Sequence, residues 1–331
     1  NTDPAMLRAA AESFRAQTYP HWEAILLDGA STKPETVQCL KKLEKLDDRL
    51  RVVFSGENLH ISGNSNAALR HAKGEWIALC DHDDLYTPDA LYWVMDAVER
   101  ENPDFIYSDE DKVSEDGRVF FEAHFKPDYC PDNLRSGNYI CHLMVMRRSL
   151  IDAAGGFRSA FDGSQDHDLA LRCMEHTTRV THIPRVLYHW RHVGASMSHQ
   201  NLMRCVDAAR RAVEEHINRV GPGGNVTLEN NCLRIHYRIP REKKVSLIVL
   251  DSGEEGQLRR CLAALQATDW PEMETLILSN RQELPGRTIA VGEIGRFAAL
   301  NLGAGEATGD YLAFVDSSAV VEDPGWLREL M

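Results

Sequence analysis

The chain has 331 residues, and its 37 lysine and arginine side chains against 50 aspartate and glutamate side chains give a formal net charge of −13. This acidic balance excludes a binder of duplex nucleic acid, which needs a basic footprint for the phosphates. The length predicts two domains rather than one, with ample chain to bury a hydrophobic core.

The eight cysteines form no Cys-x-x-Cys pair, and several lie in apolar or helical contexts. Such usage is typical of reduced, buried thiols and predicts a cytoplasmic protein. No stretch approaches the roughly 18 apolar residues of a membrane span, and no signal-peptide pattern opens the sequence. Because the sequence does not begin with Met, we expect a piece of a longer protein.

The first 100 residues alternate between helix and strand patterns. In chain order, the spacing of apolar residues predicts a helix over 3–17, a strand over 23–28, a helix over 33–46, a strand over 51–54, a helix over 63–74 and a strand over 75–80. Helices alternating with short apolar strands predict a parallel sheet covered on both faces. Ligands bind such sheets beyond the carboxyl ends of the strands, where Asp28 and Asp81 both lie.

The chain changes character after residue 100, where polar strands and irregular connections are typical of a substrate-facing half. A helical pattern over 201–220 ends this part, and a polar tether leads to a new apolar strand over 245–250. We therefore predict a boundary near residue 240, with a first domain over 1–240 and a second over 241–331.

The second domain repeats part of the first. QATDWPEMETLILSN matches RAQTYPHWEAILLDG, and ALNLGAGEATGDYLAFVDSSA matches NSNAALRHAKGEWIALCDHDD, which pairs Asn301 with Asn66 and Asp316 with Asp81. The second copy starts with the strand over 245–250, whereas the first copy begins after the place of that strand, and the second copy stops soon after Asp316. We therefore expect a chain clipped at both ends, with a first strand missing upstream and a partial second copy.

The acidic run at residues 81–84, Asp-His-Asp-Asp, directly follows an apolar strand. Like charges crowded at a strand end repel unless water or a cation neutralises them. An Asp-x-Asp pair supplies hard oxygen ligands for one Mg²⁺ or Mn²⁺, which in turn can clamp a diphosphate leaving group. The alternative is a solvated loop before the helix that starts at residues 87–89. The run alone leaves both interpretations open.

Several stretches together resemble the family-2 glycosyltransferases of the GT-A type: SFRAQTYPHWE, NLHISGNSNAALRHAKGEWIALCDHDD, GGF and GSQDHDLALR. IYSDEDK, NYICHLMVMRRSL and RVLYHWR are similar to stretches of bacterial tandem enzymes that build surface polysaccharides such as O-antigen or rhamnan-rich chains. The resemblance is dense over residues 1–220 and weaker over 245–331.

This resemblance implies an α/β fold of the GT-A type, with a Rossmann-like, mostly parallel sheet and helices on both faces. It implies a metal-dependent enzyme of the hexosyltransferase type, using Mn²⁺ or Mg²⁺. The reaction would move a sugar, with inversion, from a nucleotide-diphosphate donor to a glycan or lipid-linked glycan acceptor. The expected location is the cytoplasm, at the inner face of the cytoplasmic membrane, with peripheral membrane association.

The resemblance also assigns the donor and metal residues. Asp28 would accept a hydrogen bond from the imide N–H of a uracil or thymine base, although the family often has two Asp where this chain has Asp28 and Gly29. Asp81 would face the ribose side of the nucleotide and share the metal with Asp83, and Asp84 would support the donor. For Asp28 alone, the alternative is a turn residue.

A second set of acids follows GGF, at residues 162–169. The resemblance assigns the general base to Asp166, with Gln165 in place of the usual Glu. A carboxylate that takes a proton from an acceptor hydroxyl during in-line attack gives inversion at the anomeric carbon. The alternative is that Asp166 and Asp168 only favour the first turn of a helix through its dipole.

Two further places carry open assignments. Arg191 and His192 stand where a closing loop could reach the diphosphate or the metal, and a lone His in such a place is more often a surface or core residue. The acids of residues 108–111 would either orient the acceptor or cap a strand.

The second copy lacks the central acids of residues 81–84, because Asp316 is followed by Ser317, Ser318 and Ala319. Hydroxyl groups are weak ligands for a divalent cation, so we predict a second copy without a metal site and without activity.

A non-catalytic scaffold that binds nucleotide or glycan is the alternative function, and the degenerate second copy would suit it. A Rossmann dehydrogenase is disfavoured, because no Gly-x-Gly-x-x-Gly follows a strand.

Overall fold

The computed structural model describes residues 1–193, 202–239 and 243–331. The chain divides into two compact units, Asn1–Tyr237 and Arg238–Met331. The boundary expected near residue 240 falls in residues 240–242, outside the described residues.

The first unit contains eight α-helices and ten strands within its described residues. Its described helices are α1 (Pro4–Arg15), α2 (Pro34–Leu43), α3 (His60–His71), α4 (Ala90–Glu101), α5 (Pro131–Ser136), α6 (Arg148–Ala154), α7 (Gln165–Cys173) and α8 (Leu202–Val220). Its described strands are β1 (Ala24–Asp28), β2 (Leu50–Phe54), β3 (Trp76–Ala78), β4 (Leu85–Tyr86), β5 (Phe105–Ser114), β6 (Phe120–His124), β7 (Met144–Arg147), β8 (Val180–His192), β9 (Gly224–Glu229) and β10 (Cys232–Tyr237). The helices and strands predicted over the first 100 residues are confirmed, with ends shifted by a few residues.

The strands of the first unit form three sheets. β1 and β2 pair in parallel, and β9 and β10 form an antiparallel hairpin. The third sheet has six strands. Five of them follow the order β3-β7-β5-β8-β4, and β6 pairs with the C-terminal half of β5. In the six-stranded sheet β5 and β8 are parallel, whereas β3, β4, β6 and β7 pair antiparallel. The parallel pattern expected from sequence therefore holds for β1–β2 and β5–β8. β6 follows β5 through a short turn, which permits only an antiparallel pair.

Both faces of the six-stranded sheet are covered, as the alternation along β5 shows. Phe105 and Tyr107 pack with Leu169 of α7 in one core, while Ile106 between them packs with Val94 of α4 in another. Successive side chains of a strand point to opposite faces, so one strand supplies both cores. This layering leaves the carboxyl ends of the strands open for a site.

The second unit has a simpler arrangement. Its elements are β11 (Val245–Leu250), α9 (Glu255–Gln266), β12 (Met273–Leu278), β13 (Arg287–Ile289), α10 (Arg296–Glu306), β14 (Tyr311–Asp316) and α11 (Trp326–Leu330). Its four strands are all parallel, in the order β13-β12-β11-β14. From α9 to β14 the elements follow the same order as from α1 to β3, except that α2 has no counterpart. The parallel α/β arrangement expected for this segment is confirmed.

All eight cysteines lie in the described residues and are free thiols. Within the described ranges, no helix combines the length and the apolar character that crossing a membrane requires.

Glu274 joins β12 to the end of α10 in the second unit. Its Oε1 accepts hydrogen bonds from the Ser246 hydroxyl at 2.6 Å, from the Thr308 backbone N–H at 2.6 Å and from the Thr308 hydroxyl at 2.8 Å. Although burial disfavours the charge, these bonds and the nearby Lys244 lower the pKa of Glu274 to about 2. The charged form of Glu274 therefore stabilises the folded second unit.

We expect Glu274→Gln to lower the unfolding temperature of the second unit at pH 6, with a difference that shrinks as the pH falls. An unfolded chain takes up a proton at glutamate near pH 4.3, well above the pH at which folded Glu274 does. The stabilisation is thus complete above about pH 4.3 and lost as the pH falls toward the folded pKa. Calorimetry of the full chain from pH 6 to pH 2.5 measures it. The exposed Glu272→Gln serves as the control, and a pH-independent difference between the two variants would contradict the assignment.

Candidate active site

The acidic loop at residues 79–84 is held in place by β8. Asp84 is only 1% exposed, and its Oδ2 accepts a hydrogen bond from the Tyr188 hydroxyl at 2.5 Å. Its Oδ1 accepts the backbone N–H of Arg191 at 2.7 Å, and the Tyr188 oxygen accepts the N–H of Asp81 at 3.2 Å. Tyr188 and Arg191 are β8 residues, so the loop conformation depends on a strand about 100 residues away in sequence.

The electrostatics of the loop favour a cation. Burial and the charge of the neighbouring Asp81 raise the pKa of Asp84 to about 7, although His142 and the hydrogen bonds from Tyr188 and Arg191 oppose that rise. A buried carboxylate beside another carboxylate is destabilised unless a positive charge compensates it.

The structure brings a histidine to the two acids. One oxygen of Asp81, one oxygen of Asp84 and one ring nitrogen of His142 all lie within 4.8 Å of one another. The ring of His142 stacks on Tyr188, with centroids 4.5 Å apart and planes 13° apart. Two carboxylates and an imidazole suit Mn²⁺ and, with added water, Mg²⁺. These residues therefore fit the cation that the sequence predicted.

Asp83 and His192, predicted at the metal, are not part of this close group of ligand atoms, and metal binding by either residue stays a prediction. The side chain of Asp83 is 26% exposed, and its Oδ1 lies 3.4 Å from Nδ1 of His82. His192 is exposed, with its ring centroid 6.1 Å from that of Phe121. Among residues 1–193, 202–239 and 243–331, the close group of ligand atoms contains Asp81 but neither of these two.

Arg191, predicted at the donor diphosphate, donates from its guanidinium to backbone carbonyls, and a contact with the diphosphate stays a prediction. The residue is 4% exposed, and its Nε donates to the carbonyl of Asp83 at 2.5 Å. Its Nη1 donates to the carbonyl of Glu115 at 2.8 Å, in the turn between β5 and β6. Arg191 points inward because it lies in register with the fully buried Val113. It ties the acidic loop to the β5–β6 turn.

Asp28 ends β1 and is buried. Its Oδ2 accepts the backbone N–H of Ser31 at 3.1 Å, which is the turn role that the sequence left as the alternative. A contact of Asp28 with a nucleotide base stays a prediction.

Asp166 is half-buried in the first turn of α7. Its Oδ2 accepts a hydrogen bond from Nδ2 of Asn138 at 2.9 Å, and Oδ1 of Asn138 accepts the N–H of Cys141 at 3.2 Å. The sequence did not single out Asn138, although it lies in the NYICHLMVMRRSL stretch that carried part of the resemblance. Asp166 is thus hydrogen-bonded to Asn138 and remains partly accessible to solvent.

Asp168, two residues further on, is structural. It is 1% exposed and pairs with Nη2 of Arg158 at 2.5 Å and with Nη2 of Arg172 at 2.7 Å. Arg172 also donates to the carbonyl of Gly156 at 2.7 Å, so the pair holds the GGF turn against α7.

The GGF turn is also fixed from α3. The side-chain amide of Asn66 donates to the Phe157 carbonyl at 2.8 Å and accepts the Phe157 N–H at 2.9 Å. Gly156 has a φ of +71°, and a Cβ there would lie 2.8 Å from Oδ1 of Asn66. Only glycine fits this position without strain. The turn is thereby placed beside the start of α7.

We expect Asp168→Asn to lower the free energy of unfolding of the first unit by about 3–5 kcal/mol, because it leaves Arg158 and Arg172 without a buried anion. Asp166→Asn should change it by less than about 1 kcal/mol, since Asp166 accepts only a neutral amide hydrogen bond. Urea unfolding of both variants measures the difference. Equal losses would contradict the separate roles assigned to these neighbouring acids.

The acids of residues 108–111 have internal partners, which favours the structural alternative over an acceptor role. Oδ1 of Asp109 accepts the Lys126 N–H at 2.9 Å and lies 2.9 Å from Nε2 of His182. Oδ1 of Asp111 lies 2.5 Å from Nδ1 of His189. Glu110 accepts the backbone N–H of His142, and this contact bears on the site.

The corresponding place in the second unit is occupied by ion pairs and hydroxyl groups. Oδ2 of Asp316 lies 3.1 Å from Nη2 of Arg296, and Oδ1 accepts the hydroxyl of Ser318 at 2.7 Å. The counterpart of Asp28, Ser279, donates its hydroxyl to Asp251 at 2.7 Å. The guanidinium of Arg296 supplies the positive charge that a cation would otherwise supply.

Comparisons with known proteins agree with the sequence pattern. Residues 1–155 match the family described as glycosyl transferase family 2. The chain is 37% identical to the uncharacterized protein y4gI of Sinorhizobium fredii, an alignment that covers 100% of this chain and 39% of that protein. It is 32% identical to the O-antigen biosynthesis protein RfbC of Myxococcus xanthus, covering 99% of this chain and 27% of that protein. The chain therefore spans well under half the length of both relatives.

A solved structure shares the fold. The crystal structure of S. aureus TarS in complex with UDP-GlcNAc superposes with a TM-score of 0.52 at 16% sequence identity, covering 64% of this chain and 62% of that chain. At this identity the likeness shows the fold alone, and it confirms the α/β fold of the GT-A type.

Proposed function

Because the chain carries a glycosyltransferase family 2 domain over residues 1–155, we propose that its first unit moves a sugar from a nucleotide-diphosphate donor to a growing surface-polysaccharide acceptor, with inversion. The observation that carries this proposal is the placement of residues 138–142. One end of this segment contacts Asp166 through Asn138, and the other carries His142 to Asp81 and Asp84. The proposed cation ligands and the proposed base are thus adjacent.

The cation would be Mn²⁺ or Mg²⁺, held by Asp81, Asp84 and His142, with the more exposed Asp83 able to join on the solvent side. A bound divalent cation would neutralise the charge of the donor diphosphate. Two residues of β8 position the acidic loop at this end of the site. Tyr188 and Arg191 hold the acidic loop in one conformation, so its oxygens are oriented before the donor arrives.

Asp166 is the proposed general base. It accepts the proton of the acceptor hydroxyl as that oxygen bonds to the anomeric carbon, and the bond from the anomeric carbon to the donor phosphate oxygen breaks with its electron pair leaving on the diphosphate. Asn138 orients the carboxylate. Among the described residues Asp166 has no ion-pair partner, which leaves it available for a proton, in contrast to Asp168.

Two further donor contacts are proposed at the carboxyl ends of strands. Asp28, at the end of β1, is the proposed partner of the nucleotide base, and Asp81 the residue nearest the ribose. The relative RfbC is named for O-antigen biosynthesis, which supports a glycan or lipid-linked glycan as the acceptor. We further propose that the reaction takes place at the cytoplasmic face of the membrane. We propose that the second unit is non-catalytic, because Asp316 forms an ion pair with Arg296 and accepts a hydrogen bond from Ser318.

The test is release of nucleoside diphosphate from a panel of nucleotide sugars, with and without Mn²⁺, combined with thermal unfolding. A donor that binds only the folded state raises the unfolding temperature. We expect at least one donor to give both a shift and release that EDTA abolishes. Donor shifts without release in the presence of acceptor glycans would favour a nucleotide-binding scaffold, and binding of free glycans alone would favour a glycan-binding one.

A further inference from the structure

Lys126 is a buried cation beside the candidate site. Its side chain is 0% exposed, and its Nζ lies 3.5 Å from Oε2 of Glu110. Nζ donates to the carbonyl of Ile140 at 2.6 Å and also to the carbonyl of His142. A buried ammonium group is stable only when acceptors and an opposite charge compensate it, and here two carbonyls accept hydrogen bonds from Nζ while the Glu110 carboxylate lies within ion-pair distance. Burial nevertheless lowers the pKa of Lys126.

Both acceptor carbonyls belong to residues 138–142, which we call the bridging segment. Glu110 binds the same segment, because its Oε2 accepts the backbone N–H of His142 at 3.0 Å. The backbone of His142 is thus held on both sides, by a carboxylate at its N–H and by an ammonium group at its carbonyl. The direction of the His142 ring toward Asp81 follows from that restraint and from the stacking on Tyr188.

The opposite end of the bridging segment holds Asp166. Asn138 donates to Asp166, and its own oxygen accepts the N–H of Cys141, one residue before His142. A shift of the segment would therefore move the histidine away from the acidic loop and the amide away from Asp166 together. Lys126 and Glu110, which restrain the histidine end of the segment, are not among the residues proposed to touch the donor or the acceptor.

We propose that Lys126, with Glu110, is a positioning residue that sets the placement of the bridging segment and so couples the cation site to the general base. This inference rests on the proposed function of the site. Lysine suits the position because three N–H groups on a compact head match acceptors in three directions. A neutral side chain of similar length would fill the space but would release both carbonyls.

The test compares Lys126→Met in the full chain with Lys112→Met as a matched control. Lys112 pairs with Glu122 and lies over Trp190 at 5.8 Å, so its loss removes a charge near the site without touching the bridging segment. Three quantities are measured in each: hydrogen exchange of the 138–143 amides, Mn²⁺ affinity by electron paramagnetic resonance, and kcat and KM for transfer. Unfolding is followed separately, because a merely structural role would lower stability alone.

We expect Lys126→Met to speed exchange of the 138–143 amides, to weaken Mn²⁺ binding about 10–100-fold as the loss of a supporting contact does, and to lower kcat more than it raises the donor KM. Folded protein with wild-type Mn²⁺ affinity and kcat overturns the proposal, whether or not exchange changes. If Lys126→Met does not fold, Glu110→Gln decides by the same three measurements, since it keeps an acceptor for the His142 N–H and removes the carboxylate beside Nζ.

The two proposals fail differently. A wild-type chain that neither binds Mn²⁺ nor transfers sugar defeats the proposed function. Exchange of the 138–143 amides still shows in that case whether Lys126 holds the segment, and unchanged exchange in Lys126→Met overturns the positioning role.

Discussion

Asp166→Asn is expected to lower kcat for sugar transfer about 10²–10⁴-fold, the usual contribution of a positioned general base. The amide of asparagine keeps the size of the side chain but cannot take the proton of the acceptor hydroxyl. Because Asp166 contributes little to the packing of α7, Mn²⁺ affinity and the unfolding temperature should stay near wild type. Steady-state transfer rates with saturating donor and acceptor measure the effect.

The matched control for this variant is Asp152→Asn. Asp152 is exposed near the end of α6, outside the bridging segment, and its Oδ2 lies 3.8 Å from Nε of Arg148. Its substitution should leave kcat unchanged. Transfer by Asp166→Asn at more than a tenth of the wild-type rate would assign the base to another residue.

Asp81→Asn is expected to weaken Mn²⁺ binding by more than about 100-fold, since removal of a ligand exceeds the 10–100-fold loss seen when only a supporting residue is removed. An amide oxygen carries no charge to offset the cation, and the neighbouring Asp84 is already one of the three proposed ligands. Isothermal titration with Mn²⁺ in the absence of donor measures the loss directly.

The chain contains its own control for this experiment. Asp316→Asn changes the equivalent residue of the second unit, where Arg296 already supplies a positive charge. Its Mn²⁺ titration should match wild type, with one equivalent bound. If the wild-type chain instead binds two equivalents of Mn²⁺ and Asp316→Asn binds one, the second unit also binds a cation, which contradicts its proposed lack of a metal site.

The comparison of the two units shows what the acidic loop needs. Both units carry an aspartate at the carboxyl end of the equivalent strand: Asp81 lies in the loop that follows β3, and Asp316 is the last residue of β14. Only the first unit adds Asp84, buried against Tyr188 and Arg191 of β8. The strand and its first aspartate are therefore found both with and without the further acids, and Asp84 is the part specific to the proposed cation site.

The sequence by itself determined the helices and strands of residues 3–80, the repeat and the position of the acidic run. These features are local, because helix and strand patterns repeat every few residues and residues 81–84 are adjacent in the chain. It also indicated that Asp166 and Asp168 were not equivalent. It could not show why, since the partners of Asp168 become visible only in the folded chain.

Tertiary structure alone decided which side chains meet at the acidic loop. His142 lies about 60 residues from Asp81 in sequence, and Arg191 more than 100 residues from Asp83, so no spacing rule connects them. The antiparallel pairing of β7 with β5 brings His142 to the site, and the inward register of β8 turns Arg191 onto carbonyls instead of solvent. Contacts between strands distant in sequence depend on sheet register, which is set by burial of whole strands rather than by any single motif.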